Sequence, residues 1–431
     1  MGDKIMKFSK ITIILFFIYI CSFVKAKDEI KIGISTFLSG GAASSFGIPL
    51  KQGLEFMFDA INNGNLPEPY NTPGIGGKKI SYFFIDESGG ATKQVSEFRN
   101  MVQREKVDIV MGYISSGDCL AIPSVAEELK KLTILIDCGT PRVFEESNYK
   151  YVFRTGPHAA MDNIAGALYL KRKGIMPTKL AAINQNYAWG HDSWADFKGS
   201  IDIFFPGTKV VSEQFPKFLA GQYGSEISAI MVSKPDLIHS SMWGGDLESF
   251  IIQAATRGLF RNSTVFLSAG DHVLPSLGRN MPDGVIVGAR GPHGDLAPDT
   301  TLANWFKEGL KNKLGIKMTT QPMHKGAMAA LFIKKAYDKA TIEMGSFPNT
   351  EEVIKYMEGL KWETPSGDAE MALGKGHQAI QNQAIGITKW DNKEKRVKLV
   401  DIEYFNAGCV NPPEGIKSLD WIKGGFKGAD C

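Results

Sequence analysis

The chain alternates short apolar runs rich in β-branched residues with longer stretches whose apolar positions recur every three to four residues. From Glu29, residues 30–37, 80–86, 109–112 and 133–137 read as buried strands, and 48–62, 91–106 and 116–132 as the helices between them. Such a βαβ series predicts a mostly parallel sheet covered by helices on both faces. The rhythm restarts after Tyr149 with strand 151–154, helix 159–173, strand 179–184, helix 191–204, strands 209–213 and 237–240, helix 246–257, and strands 264–267 and 285–289. The expected class is therefore α/β with two lobes, each a mostly parallel sheet flanked by helices. The breaker-rich run Arg290-Gly291-Pro292-His293-Gly294 marks a crossing between them. Helices 302–313, 323–343 and 351–358 lack strand partners of their own and are expected to return to the first lobe. Strands 384–390 and 397–403 are expected to close the second. The domains read from this pattern are residues 27–150 with 292–362, residues 151–291 with 363–405, and an irregular tail, 406–431.

Residues 1–26 bear on where the chain works. Lys4, Lys7 and Lys10 precede the apolar run 11–23, and Val24-Lys25-Ala26 offers small or β-branched residues where a signal peptidase reads. About 13 apolar residues fall short of the roughly 18 that span a bilayer. Cys21 follows Tyr19 and Ile20, which are too bulky for a lipoprotein signal. The expectation is a cleaved signal peptide and a soluble periplasmic product. The chain has 49 basic and 46 acidic residues; without the four Lys and one Asp of residues 1–26, 45 of each remain. No basic field is left to hold nucleic acid or an anionic membrane. The remaining cysteines, Cys119, Cys138, Cys409 and Cys431, lack zinc-site spacing. In an oxidising compartment a Cys409–Cys431 bridge is expected to staple the tail around Asn411-Pro412-Pro413. For Cys119 and Cys138, spacing leaves both a bridge and free buried thiols open.

Candidate chemistry collects at strand ends. Ser115 and Ser116 follow a strand and open a helix, where unpaired N–H groups and a hydroxyl suit a carboxylate; helix capping with Asp118 is the competing role. In Cys138-Gly139-Thr140, Gly139 allows close backbone approach, Thr140 supplies a hydroxyl and an N–H, and the Cys138 carbonyl can accept from an ammonium. Tyr187, Trp189 and Trp243 follow strands of the second lobe, where they either cover a ligand or pack in the core. Asp271, also at a strand end, either meets a ligand ammonium or caps a short helix. His239 and His377 read as hydrogen-bonded structural histidines. The glycine-rich run 72–77 is followed by Lys78-Lys79, not by the Lys-Ser or Lys-Thr of a phosphate loop. No nucleophile elbow and no base beside Cys138 is in view, so no catalytic residue, metal site or cofactor is implied.

Several strings, in their order along the chain, resemble the type I periplasmic solute-binding proteins of the branched-chain amino acid transport family. They are Glu29-Ile30-Lys31-Ile32-Gly33 with Phe37-Leu38-Ser39-Gly40 and Phe46-Gly47, Gly112-Tyr113-Ile114-Ser115-Ser116, Cys138-Gly139-Thr140, Trp189-Gly190, Met242-Trp243-Gly244-Gly245, and Thr364-Pro365-Ser366-Gly367 with Gly376-His377-Gln378. The resemblance implies that Ser116 and Thr140 hold a carboxylate, that Cys138-Gly139-Thr140 is a ligand-binding turn, and that Phe46 lines the side-chain end. It implies that Trp189 and Trp243 close over the ligand, and that Asp271 anchors an amine. The implied function is delivery of a small ligand, foremost an apolar or aromatic amino acid, to the membrane permease of an ABC importer by lobe closure of a monomer. Trp189 stands where such proteins usually carry Tyr, Gly270-Asp271 stands near a usual Glu, and the tail from Asn406 is an extension. An amine-free aromatic carboxylate is the alternative ligand, and a ligand-sensing subunit of a membrane receptor is the alternative role. A secreted α/β enzyme is disfavoured by the missing nucleophile and base.

Overall fold

Two sheets organise residues 29–431, which the computed structural model describes; the expected signal peptide and Cys21 lie outside these residues. The strands are β1 (Glu29–Thr36), β2 (Lys79–Asp86), β3 (Ile109–Gly112), β4 (Thr133–Leu135), β5 (Val152–Arg154), β6 (Lys179–Ile183), β7 (Lys209–Gln214) and β8 (Leu237–Ser240). They continue with β9 (Thr264–Leu267), β10 (Ile286–Gly288), β11 (Lys361–Thr364), β12 (Gly367–Leu373), β13 (Gln378–Gln381), β14 (Gln383–Asp391) and β15 (Arg396–Phe405). One sheet has the order β11-β12-β13-β5-β4-β3-β1-β2 and the other β15-β14-β10-β9-β8-β6-β7. β1 to β5 pair in parallel, as do β6 to β10, while β11, β12 and the β14–β15 hairpin are antiparallel additions at one edge of each sheet. This is the α/β class the pattern predicts.

Both faces of each sheet are buried, which explains the near-continuous apolar runs. In β3, Ile109 and Met111 join the core on one face while Val110 joins the core on the other. In β9, Val265 and Leu267 face one way and Phe266 the other, the two-residue alternation of a strand. The helix Thr301–Leu314 starts where the Thr300 side chain accepts from the Ala303 N–H, and Thr350–Met357 starts with a reciprocal Asn349–Glu352 capping box. With the long helix Gln321–Met344 they pack on the first lobe's core through Phe306, Leu331, Phe332 and Val353. The chain passes between the lobes three times, at 155–158, 289–300 and at Asn382. The second passage contains the breaker-rich run.

Three parts of the sequence reading need correction. Strand 151–154, expected in the second lobe, is β5 and pairs with β4 in the first sheet. β11 to β13 also belong to the first sheet, so of residues 363–405 only those from Gln383 join the second. Local periodicity reports that a strand exists; its sheet is decided by hydrogen bonds to residues far along the chain. The tail, expected to be irregular, forms short helices Ala407–Val410 and Ser418–Lys423. Trp421 and Ile422 bury themselves in the second lobe's core, and the expected Cys409–Cys431 bridge is formed. Ser418 donates its backbone N–H to Glu145 of the first lobe, so the tail spans both lobes.

Candidate ligand-binding cleft

The carboxyl ends of both sheets face each other, which is where ligands lie in open α/β sheets. β3 ends at Gly112, whose φ of +123° lets the chain press on β1; a Cβ there would sit 2.1 Å from the Ser35 carbonyl oxygen. The helix Ser116–Glu128 follows, and its entry is held by Glu87, whose carboxylate accepts from the N–H groups of Ile114 (2.7 Å) and Ser115 (2.8 Å). Asp118 lies against both Glu87 and the Ser115 side chain, but the Ser115 N–H goes to Glu87, so no reciprocal capping box forms. Burial raises both carboxyls, Asp118 to about 6.

The next turn is built around Ser116. Its Oγ accepts from the backbone N–H groups of Gly139 and Thr140, each at 3.1 Å. The Thr140 hydroxyl donates to Asp192 Oδ2 at 2.6 Å, a bond from the first lobe to the second. Cys138 is bridged to Cys119, and its carbonyl accepts from Arg154 Nη1 at 3.2 Å. Of this string only Gly139 lines the cleft, together with Ser116. A Cβ on Gly139 would lie 2.2 Å from the Trp189 ring, so the missing side chain is what lets the indole lie on the turn.

The second lobe supplies the aromatic wall. Trp189 donates its Nε1–H to the Ser241 carbonyl and Trp243 donates to the Tyr187 hydroxyl, both at 2.7 Å, which fixes the two indoles. Trp243 meets Phe46 edge-on with ring centres 5.1 Å apart, and Phe37 at 5.7 Å. Gly245 donates its N–H to the Gly41 carbonyl at 2.7 Å, again joining the lobes. The lobes meet so closely that the cavity between Phe46, Ile114, Ser116, Asp137, Gly139, Tyr187, Trp189, Trp243, Ala269, Arg290 and Gln321 is about 10 Å³, room for a single water.

Two charged residues, Arg290 and Asp137, line this cavity. Arg290 lies in the second crossing with φ +51° and is 4% exposed. Its Nε donates to Asp162 Oδ2 (2.9 Å), Nη1 to both the carbonyl and Oδ1 of Asp137 (2.7 Å to Oδ1), and Nη2 to the Pro157 carbonyl (2.6 Å). A guanidinium has five N–H donors, so one on Nη2 is left, beside the cavity and stacked over Trp189 with the guanidinium carbon 4.6 Å from the ring centre. Burial opposes the charge, but Asp137 and Asp162 outweigh it and hold the arginine protonated. Burial in turn raises Asp137, and raises Asp162 to about 6. Gln321, at the start of its helix, donates Nε2 to Asp137.

Of the residues expected to bind ligand, Phe46, Ser116, Gly139, Trp189 and Trp243 come together at the cavity; Cys138, Thr140 and Asp271 do not line it. Asp271 accepts instead from the Gln321 N–H at 2.7 Å, capping the helix of the opposite lobe, and burial pushes its carboxyl up to about 7. His239 and His377 are buried and bonded to Asn163 and to the Val152 carbonyl. Sequence reasoning missed Arg290, Asp137 and Gln321. The one available signal was a lone arginine inside the breaker-rich crossing.

The family described as periplasmic binding protein matches residues 29–395. A Leu/Ile/Val-binding protein homolog from Brucella melitensis is 22% identical over 393 residues, covering 88% of this chain and 87% of the relative. Among solved structures, a solute-binding protein of an ABC transporter from Rhodopseudomonas palustris BisB5, in complex with 3,4-dihydroxybenzoic acid, superimposes with TM-score 0.76 at 21% identity, over 88% of this chain and 98% of that one. One from R. palustris in complex with benzoate gives 0.76 at 19%, over 90% and 99%. The Brucella ovis leucine-, isoleucine-, valine-, threonine- and alanine-binding protein in its closed conformation gives 0.71 at 20%, over 90% and 97%. The chain belongs to the periplasmic binding protein family, as its strand-end motifs implied, and is a two-lobed solute-binding protein, not an enzyme.

Proposed function

We propose that this chain is an extracytoplasmic protein that carries a small aromatic carboxylate to the membrane permease of an ABC importer, closing its lobes around the ligand. The observation that carries this reading is the one remaining N–H of Arg290, set in a wall of Phe46, Tyr187, Trp189 and Trp243. With the lobes parted, an indole face can stack a planar ring, and a carboxylate pairs with a guanidinium better than with a lone hydroxyl. Ser116 and Gly139 shape the floor on the first lobe. The benzoates in the related structures support the same class.

An amino acid is the second reading, favoured by Asp137, an acidic residue in the cavity lining. Against it, the two acceptors assigned to an amine are placed otherwise: the Cys138 carbonyl holds Arg154, and Asp271 stands off the cavity with its carboxyl raised toward the neutral form. A thermal-shift panel of benzoate, 4-hydroxybenzoate, L-leucine and L-phenylalanine tests the choice. Ligand at 100 times its dissociation constant adds about 2.7 kcal/mol of stability. A shift with the aromatic acids alone supports the proposal, and a shift with the amino acids alone refutes it.

A further inference from the structure

Arg154, at the end of β5, is buried completely, and no carboxylate bonds to it among the described residues. Its Nε donates to Gln378 Oε1, and Nη1 donates to the carbonyls of Cys138 (3.2 Å) and Thr140 (2.6 Å). Nη2 has no partner. Next to it, His158 is 2% exposed and its Nδ1 also has no partner. Both side chains line a pocket of about 260 Å³. A buried cation left without an anion is costly, and burial, with Arg290 adding to it, pulls this guanidinium down to about 9.

The carboxylates in the pocket wall have other partners. Glu145 accepts from the Ser418 N–H, Glu146 from Arg142 and Glu414 from the Lys375 N–H. Of these, Glu145 is the one close enough to offset part of the Arg154 charge. Lys375 and Lys417 stand in the wall as well. The outer side of the pocket is made by residues 412–417 of the tail, beyond the stretch 29–395 that matches the family. The pocket shares no lining residue with the cleft.

We propose that this pocket is a second ligand site, for a small oxyanion (a carboxylate or phosphate) bound by Arg154 Nη2 and His158 Nδ1–H. The volume lies below the usual range for drug-sized ligands, which suits a compact anion. Burial and the two arginines keep His158 neutral, so its Nδ1 serves as a donor in the tautomer protonated there.

The test titrates inorganic phosphate, and acetate in parallel, into the mature protein at ionic strength fixed with sodium chloride, following thermal stability. A crystal soaked in selenate then locates the anion by its anomalous signal. The expected result is a saturable rise in Tm with at least one anion and an anomalous peak beside Arg154 Nη2. Arg154→Gln should abolish the saturable rise. Because that variant also loses the bonds to Cys138 and Thr140, Lys417→Glu serves as a milder check and should weaken binding several-fold while folding normally. No saturable rise with either anion, or selenate found only away from Arg154, overturns the proposal.

Discussion

Asp271 separates two accounts of the cleft with one substitution. Its carboxyl is raised to about 7 chiefly by burial, with Asp137 and Asp295 adding to the effect. In the unfolded chain an aspartate loses its proton near ~4. The folded form therefore holds a proton between about pH 4 and 7 that the unfolded form has released, and the stability this contributes is present at acid pH and withdrawn as pH rises through 7. Asp271→Asn, which mimics the protonated state, should match the wild type near pH 3 and exceed it at pH 8 by on the order of 4 kcal/mol in urea denaturation. Because Asp271 lies off the cavity, the same variant should bind cleft ligands within two-fold of wild type. A loss of the kind expected from a buried charge pair, roughly 2 to 5 kcal/mol, would restore it as an amine anchor. Ser116, Trp189 and Trp243 were legible because each follows a strand end beside glycine or serine, and Phe46 through the family resemblance alone. Arg290 was not, because its partners Asp162 and Asp137 lie 128 and 153 residues away, and no local pattern announces such a pair.

Long strands and helices were readable to within a few residues, since burial on both faces or on one stripe writes itself into the apolar spacing. β11 to β13 and the helix Gly224–Ser233 were not read, and for β5 it was the sheet that was misassigned. β5 has three residues and β13 four, and both owe their place to pairing across the first sheet. The tail shows the same limit: its helices of four and six residues are too short to carry a period of their own and form by packing against the second lobe. The Cys409–Cys431 bridge closes a loop of sequence separation 22. Loop-closure entropy for that length gives about 3 kcal/mol. Cys409→Ser/Cys431→Ser should lose stability of this size by chemical denaturation and should speed hydrogen exchange in residues 412–431. Unchanged exchange there would mean that Trp421 and Ile422 hold the tail unaided.

The two lobes act together because polar bonds and rings cross between them: Thr140 to Asp192, Gly245 to Gly41, Phe46 to Trp243, and Arg290 to an aspartate on each side. The two-lobed architecture could be read from the doubled βαβ rhythm, and the family from strings at the strand ends. The ligand could not, because it depends on which donors and acceptors are still free once these bonds are made. In the cleft the charged donor with an N–H to spare is Arg290, and the second-lobe wall is built of rings. Isothermal titration calorimetry of the mature protein with 4-hydroxybenzoate and with L-leucine tests that reading most directly. The expected result is saturable one-to-one binding of the aromatic acid, with leucine at least 100-fold weaker. Tight binding of leucine with no measurable heat from the aromatic acid would contradict it.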